Sequence, residues 1–407
     1  MSMRALRSRR AIGLGGLILV VAIGLGVLLS RQTPAAAPGA SYLQTNIVSD
    51  VTGTAHVTDP KLINPWGIVA GPGTPFWIAD NNAGVSTLYT GTGASFAGAP
   101  ASVAIPAPAG GASDAAGAPT GVVFNGSPNF TVHQGMASGP SLFVFATEDG
   151  TIAGWSPMAN PASAIIAADN SAEGAVYKGL AIATDGSQAQ LFAANFRENT
   201  IDVFDSSFQR VNKPGSFSDS MIPAGFAPFN VANLNGKLYV TYAKQNEAKH
   251  DDVAGAGSGY VDVYDLSGKL LRRLISSGTL DSPWGLALAP AGFGKFGNDL
   301  LVGNFGDGKI NAFDPVSGKL LGSLNDQHGK PLHVEGLWGL AFGGGQNAGD
   351  PNTLFFTAGI GGEKHGLVGS LQPVGGSTAS ATTNGAANSG SGSGAATPGS
   401  GSSGYGY

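Results

Sequence analysis

Two groups of side chains recur in this chain at spacings that suit a binding site. The first group is aromatic, stands at the start of small-residue apolar runs, and comprises Trp66, Phe229, Trp284 and Trp338. The second group is polar, stands at or just past the end of the following apolar runs, and comprises Asp80, Glu148, Asn195, Tyr242 and Asn304. Aromatic faces with a few convergent polar groups are typical of small-ligand pockets. We predict ligand binding by both groups, and the alternative is that they pack between strands and cap hairpin turns.

Candidate metal ligands occur in two places. A charged insertion at residues 244–259 contains His250, Asp251 and Asp252 side by side, which could bind a metal or do acid–base chemistry. Consecutive residues rarely all point at one ion, and the spacing differs from that of zinc sites, so a loop that covers a pocket is the other interpretation. The second set is Asp80, Asn195 and Asn304, whose oxygens would suit Ca²⁺.

A sequence repeat carries these residues. Six openings of the Pro-X-Gly type have as middle residues Trp66, Thr120, Lys178, Phe229, Trp284 and Trp338, at steps of 54, 58, 51, 55 and 54 residues. Each opening leads through two apolar runs and a tight turn, such as Asp307-Gly308, into an alternating run. A strand repeat of this length predicts an all-β, six-bladed β-propeller of four-stranded antiparallel blades.

The ends of the repeat array predict how the ring closes. The sixth repeat runs out after its third strand, whereas residues 42–48 (YLQTNIV) form a strand without a blade before the first repeat. We predict that this N-terminal strand completes the last blade, because closure removes exposed strand edges. Loops that enter inner strands and turns that follow second strands lie on one face of a propeller. Both groups of candidate side chains should therefore meet at the mouth of the central channel.

Composition excludes several functions. The chain has no cysteine, which rules out disulfides, thiolate metal sites and a cysteine nucleophile. The net charge is -5 although residues 1–40 contribute five arginines and no acid, so the remainder is more acidic still and unsuited to nucleic acid. No phosphate-binding loop, dinucleotide fingerprint or nucleophile elbow stands out. No catalytic residue is assigned.

The two ends of the chain are predicted to lie outside the propeller. Residues 1–30 place four arginines before the uncharged apolar run 11–29, which predicts a signal peptide or a membrane anchor. We expect residues 31–40 to be a linker, 41–374 the propeller, and the Gly/Ser-rich residues 375–407 a disordered tail. The expected location is the periplasmic or extracellular face of the cytoplasmic membrane, or the medium if the segment is cleaved.

Three strings carry a resemblance to known proteins: NPWGIVAGPGTPFWIADNNAG, FATEDGTIAGW and YAKQNEAKHDDVAGAGSGYVDVYD. They resemble an uncharacterised bacterial family of exported six-bladed propellers, and the openings are similar to those of NHL-repeat and lactonase-like propellers. The resemblance covers about residues 41–374 and implies the fold. Lactonase-like propellers hold an axial divalent metal with an Asp from a Pro-Asp-Gly opening and an Asn from a second-strand end. Asn195 or Asn304 matches that Asn, but no opening has a middle Asp, which weighs against this activity.

Three functional hypotheses follow. The absence of most catalytic motifs favours an exported, membrane-tethered propeller that binds a small ligand or a protein partner at the channel mouth. The alternatives are a metal-dependent lactonase-like hydrolase on the axis, with Ca²⁺ as the candidate ion, and a structural cell-envelope scaffold. We expect a monomer whose partner is a small molecule or an envelope protein, with membrane contact only through the N-terminal segment.

Overall fold

A computed structural model of the chain describes residues 40–110, 115–186, 188–213 and 215–374. Within these ranges the fold is the predicted all-β, six-bladed propeller, and each blade contains four antiparallel strands. The predicted export segment (1–30), residues 31–39 of the predicted linker and the predicted tail (375–407) lie outside the described residues. No helix in the described ranges is long and apolar enough to cross a membrane.

The first strands and blades 1 to 3 cover the N-terminal half of the fold. The chain enters through β1 (Tyr42–Ser49) and β2 (Val57–Thr58). Blade 1 contains β3 (Pro65–Val69), β4 (Phe76–Asp80), β5 (Val85–Tyr89) and β6 (Ser102–Ala104). Blade 2 contains β7 (Pro119–Phe124), a side hairpin of β8 (Thr131–Gln134) and β9 (Ala137–Pro140), then β10 (Phe143–Thr147), β11 (Thr151–Trp155) and β12 (Ile165–Asp169). Blade 3 contains β13 (Tyr177–Asp185), β14 (Gln188–Asn195), β15 (Thr200–Phe204) and β16 (Arg210–Val211).

Blades 4 to 6 complete the ring. Blade 4 contains β17 (Phe226–Leu234), β18 (Lys237–Lys244), β19 (Tyr260–Tyr264) and β20 (Leu270–Ser276). Blade 5 contains β21 (Pro283–Leu288), β22 (Leu300–Asn304), β23 (Ile310–Phe313) and β24 (Leu320–Ser323). Blade 6 contains β25 (Leu337–Phe342), β26 (Leu354–Ala358), β27 (Leu367–Pro373) and β1. Short 3₁₀ helices span Asn81–Ala83, Ser171–Glu173, Gly294–Phe296 and Gln346–Ala348.

The N-terminal strand closes the last blade, as predicted. Strand β1 pairs antiparallel with β27 from Tyr42 opposite Pro373 to Ser49 opposite Leu367. The hydroxyl of Tyr42 also donates a hydrogen bond to the carbonyl of Phe293 in blade 5, at 3.1 Å. The two-residue β2 adds to the outer edge of β1 in parallel orientation. The two ends of the propeller are therefore joined by main-chain hydrogen bonds, and β27 is not left as an open edge.

The repeated glycine of the openings is explained by how closely neighbouring inner strands approach one another. A Cβ atom on Gly67 would lie 2.6 Å from the carbonyl oxygen of Thr120 in the next blade, and one on Gly285 would lie 2.7 Å from that of Trp338. Blade 4 has Asn230 at this position, and its Nδ2 donates to the carbonyl of Trp284 at 2.8 Å. The opening motif therefore reports blade-to-blade packing at the axis.

Between blades, apolar side chains from facing sheets form the core. Trp77 of blade 1 stacks on Phe143 of blade 2 with ring centroids 4.1 Å apart, and Trp155 packs against both rings. Comparable buried clusters lie at the other blade boundaries. Because this core holds each blade against its neighbours, loops at the ends of the blades can be fixed in position around the axis.

Candidate ligand-binding site

A β-bulge at each opening directs its middle residue away from the regular strand pairing. In blade 5, Pro283 pairs with Asn304 and Gly285 pairs with Gly303, so Trp284 has no partner across the ladder. The register shifts at the same place in the inner strand pair of every blade. Bulges re-aim side chains and are common beside functional sites. The repeat thus leaves the middle residue of each opening outside the strand pairing.

Aromatic residues fill the axis. Trp66 and Trp338 stack with ring centroids 3.5 Å apart, and Trp284 meets them edge-on at 6.1 and 5.8 Å. Phe305 stacks on Trp338 at 4.0 Å, and the fully buried Phe229 lies 5.8 Å from the same ring. The predicted aromatic group is therefore brought together as a packed cluster. This cluster separates the mouth from a cavity of about 260 Å³ at the other end of the inner strands, which Trp284 lines.

Most of the predicted polar group faces into the blades. Asp80 accepts a hydrogen bond from the backbone N–H of Thr87 at 2.9 Å, and burial raises the pKa of this carboxyl well above its ordinary value. The hydroxyl of Tyr242 lies 2.7 Å from that of Tyr264. The reason is that these strand-end residues stay in regular register, so their side chains follow the pleat into the sheet-to-sheet core.

Two asparagines of this group, Asn195 and Asn304, use their side-chain amides for hydrogen bonds to neighbouring strands and loops. The Asn195 amide donates to Asp202 at 3.0 Å, and the Asn304 amide donates to the carbonyl of Thr279 at 2.7 Å and to Asp307 at 2.9 Å. Neither asparagine lines the mouth cavity, and nor does Asp80. The structure therefore does not bring the predicted oxygen set Asp80, Asn195 and Asn304 together at the mouth.

The mouth holds a cavity of about 380 Å³ to which all six blades contribute. Its floor is aromatic and consists of Trp66, Phe305 and Trp338. Its walls carry one ammonium group and four carboxylates, from Lys178, Glu148, Asp251, Asp252 and Glu363, together with the amides of Asn64, Asn81 and Asn82. Of the predicted ligand-binding residues, Trp66, Trp338 and Glu148 line this cavity.

Lys178, the middle residue of the third opening, is the centre of the polar wall. Its side chain is only 2% exposed, its ammonium binds the Glu148 carboxylate, and it lies 3.4 Å from Oδ1 of Asp251. The ammonium also lies 5.1 Å from the ring centroid of Trp66 and 5.9 Å from that of Phe196. Carboxylates on one side and aromatic faces on the other thus hold this buried cation.

A chain of amides links the carboxylates to the aromatic floor. Asn81 donates to Glu148 Oε2 at 2.8 Å, and Asn64 donates to Glu363 Oε2 at 2.9 Å. The indole N–H of Trp338 in turn donates to Asn64 Oδ1 at 3.1 Å. Sequence reasoning missed both asparagines. The available signal was their position, since Asn64 directly precedes the first opening and Asn81 directly follows Asp80, at the end of β4.

The charged insertion of blade 4 reaches over the mouth. Gln245 bridges to Asp252 across the loop and donates from its side chain to the carbonyl of Phe196 in blade 3, at 2.5 Å. Asp251 lies 2.8 Å from Nδ1 of His250. Oδ2 of Asp252 is shielded from solvent and has no hydrogen-bond partner. The insertion is therefore both a cover and a source of two wall carboxylates, Asp251 and Asp252.

One group of side chains within the described part of the chain has the geometry of metal ligands. Ligand atoms of Glu148, His250 and Asp251 all lie within 4.8 Å of one another. Two of the predicted metal candidates, His250 and Asp251, belong to this group, and Asp252 lies on the same cavity wall. The ammonium of Lys178 contacts Glu148 and approaches Asp251, so the protein's own cation already occupies the space between these carboxylates.

No protein-family model matches the chain. Among solved structures, a streptogramin B lyase has a TM-score of 0.47 and 9% identity, covering 83% of this chain and 99% of that chain. A virginiamycin B lyase from Staphylococcus aureus, solved with quinupristin, has a TM-score of 0.47 and 13% identity, covering 82% and 99%.

Two curated proteins of Acanthamoeba polyphaga mimivirus are similar in sequence over most of their length. Uncharacterized protein R648 is 36% identical over 332 residues, which span 80% of this chain and 78% of that protein. Uncharacterized protein L690 is 33% identical over 338 residues, which span 82% of this chain and 86% of that protein. The chain belongs to the same protein family as these two mimivirus proteins.

Proposed function

We propose that the protein is a binding module that holds a small polar organic ligand in the mouth cavity. One observation carries the proposal: a cavity of about 380 Å³ combines an aromatic floor with convergent charged and amide groups from six blades. Pockets of this size with mixed apolar and polar walls are typical small-molecule sites. On the floor, the half-buried ring of Phe305 offers aromatic surface, and the walls suit groups that donate hydrogen bonds.

Lys178 weighs against the alternative of a metal-dependent hydrolase. A divalent ion bound by Glu148, His250 and Asp251 would sit beside the ammonium that contacts two of these residues. Unit charges of like sign 4 Å apart repel by about 4 kcal/mol at an effective dielectric constant of about 20, and a divalent ion doubles that repulsion. Lys178 cannot move far to relieve it, because its side chain is only 2% exposed.

Export and membrane tethering remain part of the proposal and rest on the sequence. The arginines before the apolar run at residues 11–29 support them. Fusing residues 1–40 to an enzyme that is active only after export would test this point. Activity outside the cytoplasm supports export, and activity confined to unexported protein contradicts it.

A crystallographic fragment screen tests the binding proposal. Fragments should occupy the mouth and contact Trp66 or Trp338, and the variant Asn82→Trp should lose them because Asn82 lies on the cavity wall. The matched variant Gln327→Trp places the same ring on an exposed turn and should keep them. Fragments found only outside the mouth, or none at all, would overturn the proposal.

A further inference from the structure

We propose that the ligand of the mouth cavity carries a protonated amine on a hydroxylated ring, as an amino sugar does, and that Asp252 and Glu363 bind the amine. The inference rests on the proposed function and names its ligand class. It begins from the charges of the cavity wall, where Lys178 is the single cation among four carboxylates within the described residues. Two of these carboxylates form an ion pair with Lys178, and the other two do not.

Glu148 and Asp251 are the carboxylates that form ion pairs with Lys178. Glu148 binds the ammonium through Oε1 and accepts from Asn81 through Oε2, so both oxygens are occupied. Asp251 lies 3.4 Å from the ammonium and 2.8 Å from His250. Both carboxylates therefore already contact the one cation of the wall.

Asp252 and Glu363 lie near Lys178 but form no ion pair with it. Asp252 Oδ2 is shielded and has no hydrogen-bond partner, and Glu363 accepts one amide hydrogen bond, from Asn64 at 2.9 Å. Burial raises the pKa of both carboxyls and outweighs the nearby charge of Lys178, which lowers it; the charges of Glu148 and Asp252 raise the pKa of Glu363 further. A buried carboxylate without a counter-charge in direct contact is costly, so a cationic ligand group would be stabilised here.

The cavity favours an ammonium over a metal ion at this position. Calcium needs six to eight oxygen ligands, whereas an ammonium needs three hydrogen-bond acceptors and tolerates an aromatic face. The same wall already binds one ammonium in this manner, since Lys178 lies between carboxylates and the ring of Trp66 at 5.1 Å. A second amine would repeat these interactions with Asp252 and Glu363.

The floor and the size of the cavity indicate the rest of the ligand. The half-buried ring of Phe305 provides aromatic surface on the floor, and the amide of the exposed Asn82 on the wall provides a hydrogen-bonding group for a ring hydroxyl. A volume of about 380 Å³ holds about a dozen water-sized groups, which is the size of a monosaccharide. The cavity thus combines carboxylate acceptors on the wall with aromatic surface on the floor.

Calorimetric titration of the purified protein with D-glucosamine, N-acetyl-D-glucosamine and D-glucose tests the inference. Glucosamine should bind, and both neutral sugars should bind at least about tenfold more weakly, because a charged hydrogen bond contributes about 1.5–3 kcal/mol. The variant Asp252→Asn/Glu363→Gln should lose this preference. The control Asp326→Asn/Asp350→Asn changes net charge equally at positions that do not line the mouth cavity and should keep the preference.

The outcomes separate the inference from the proposed function. Absence of glucosamine binding, equal affinity for the neutral sugars, or unchanged selectivity in Asp252→Asn/Glu363→Gln would each overturn the amine assignment. Neutral sugars or neutral fragments that still occupy the mouth in that case would leave the binding function standing. An empty mouth in the fragment screen would overturn both.

Discussion

The ammonium of Lys178 binds the carboxylate of Glu148 across the boundary between blades 3 and 2, at the end of the propeller axis. The two side chains are 2% and 13% exposed, so this ion pair is largely removed from water. The Lys178 ammonium also lies over the ring of Trp66. The backbone carbonyl of Lys178 accepts a hydrogen bond from the indole N–H of Trp284 at 2.9 Å. One residue thus connects the polar wall of the mouth to its aromatic floor.

Removing the cation should destabilise the fold. We expect Lys178→Met to lower the free energy of unfolding by about 3–5 kcal/mol, because breaking a buried ion pair leaves an uncompensated charge. Urea denaturation followed by tryptophan fluorescence measures this change. The double variant Lys178→Met/Glu148→Gln should recover part of the loss, and a coupling energy near zero between the two sites would contradict the assigned pair.

The same substitution should create a metal site. With the ammonium gone, Glu148, His250 and Asp251 retain ligand atoms within 4.8 Å of one another and no longer share a bound cation. We expect Lys178→Met to bind one Zn²⁺ in a calorimetric titration, whereas the wild-type protein binds none at this site. The variant Lys178→Met/His250→Ala is the control and should lose the ion. Equal Zn²⁺ binding by the wild-type protein would show that Lys178 does not exclude metal.

Asp252 should make the ligand-free protein less stable as pH rises. Burial raises the pKa of its carboxyl in the folded state. The stabilisation from its protonation is therefore fully present below the unfolded value of about 3.9 and is lost as pH rises through the folded pKa. Asp252→Asn should be more stable than the wild-type protein at mildly alkaline pH, and the difference should shrink in acid. Thermal unfolding across pH measures this, and a constant difference would contradict the raised pKa.

The glycine of the first opening should be intolerant of a side chain. In Gly67→Ala the new Cβ would lie 2.6 Å from the carbonyl oxygen of Thr120, so the inner strands of blades 1 and 2 must separate. We expect a loss of about 2 kcal/mol or more in the free energy of unfolding, as for overpacked cores. Gly344→Ala is the matched control, since its Cβ would lie 3.3 Å or more from its neighbours. Equal effects of the two substitutions would contradict this explanation of the repeat.

The fold could be predicted from the sequence because each repeat contains residues that mark the starts of its strands and its turns. The openings, the tight turns and the unpaired N-terminal strand all follow local rules of strand pairing and closure. The structure adds the reason for the motif, which is the bulge at residues such as Trp284 and the close approach at Gly67. These features recur in every blade, so the sequence shows them as a repeated motif.

The candidate site was only partly predictable. Trp66, Trp338 and Glu148 line the mouth cavity, but the side-chain direction of Asn304 depends on register at the strand end, which a sequence pattern does not specify. The contact between Lys178 and Asp251 joins residues 73 positions apart through the conformation of an insertion. No local rule predicts how such a loop folds over a neighbouring blade.

The indole N–H resonances of the five tryptophans provide the most direct measurement of the central claim, a ligand site above Trp66 and Trp338. In ¹H–¹⁵N spectra, titration with D-glucosamine should shift the signals of these two residues to saturation. Trp77 and Trp155, buried between blades 1 and 2, serve as internal controls and should not move. Unchanged signals from Trp66 and Trp338, or equal shifts at Trp77 and Trp155, would contradict the account.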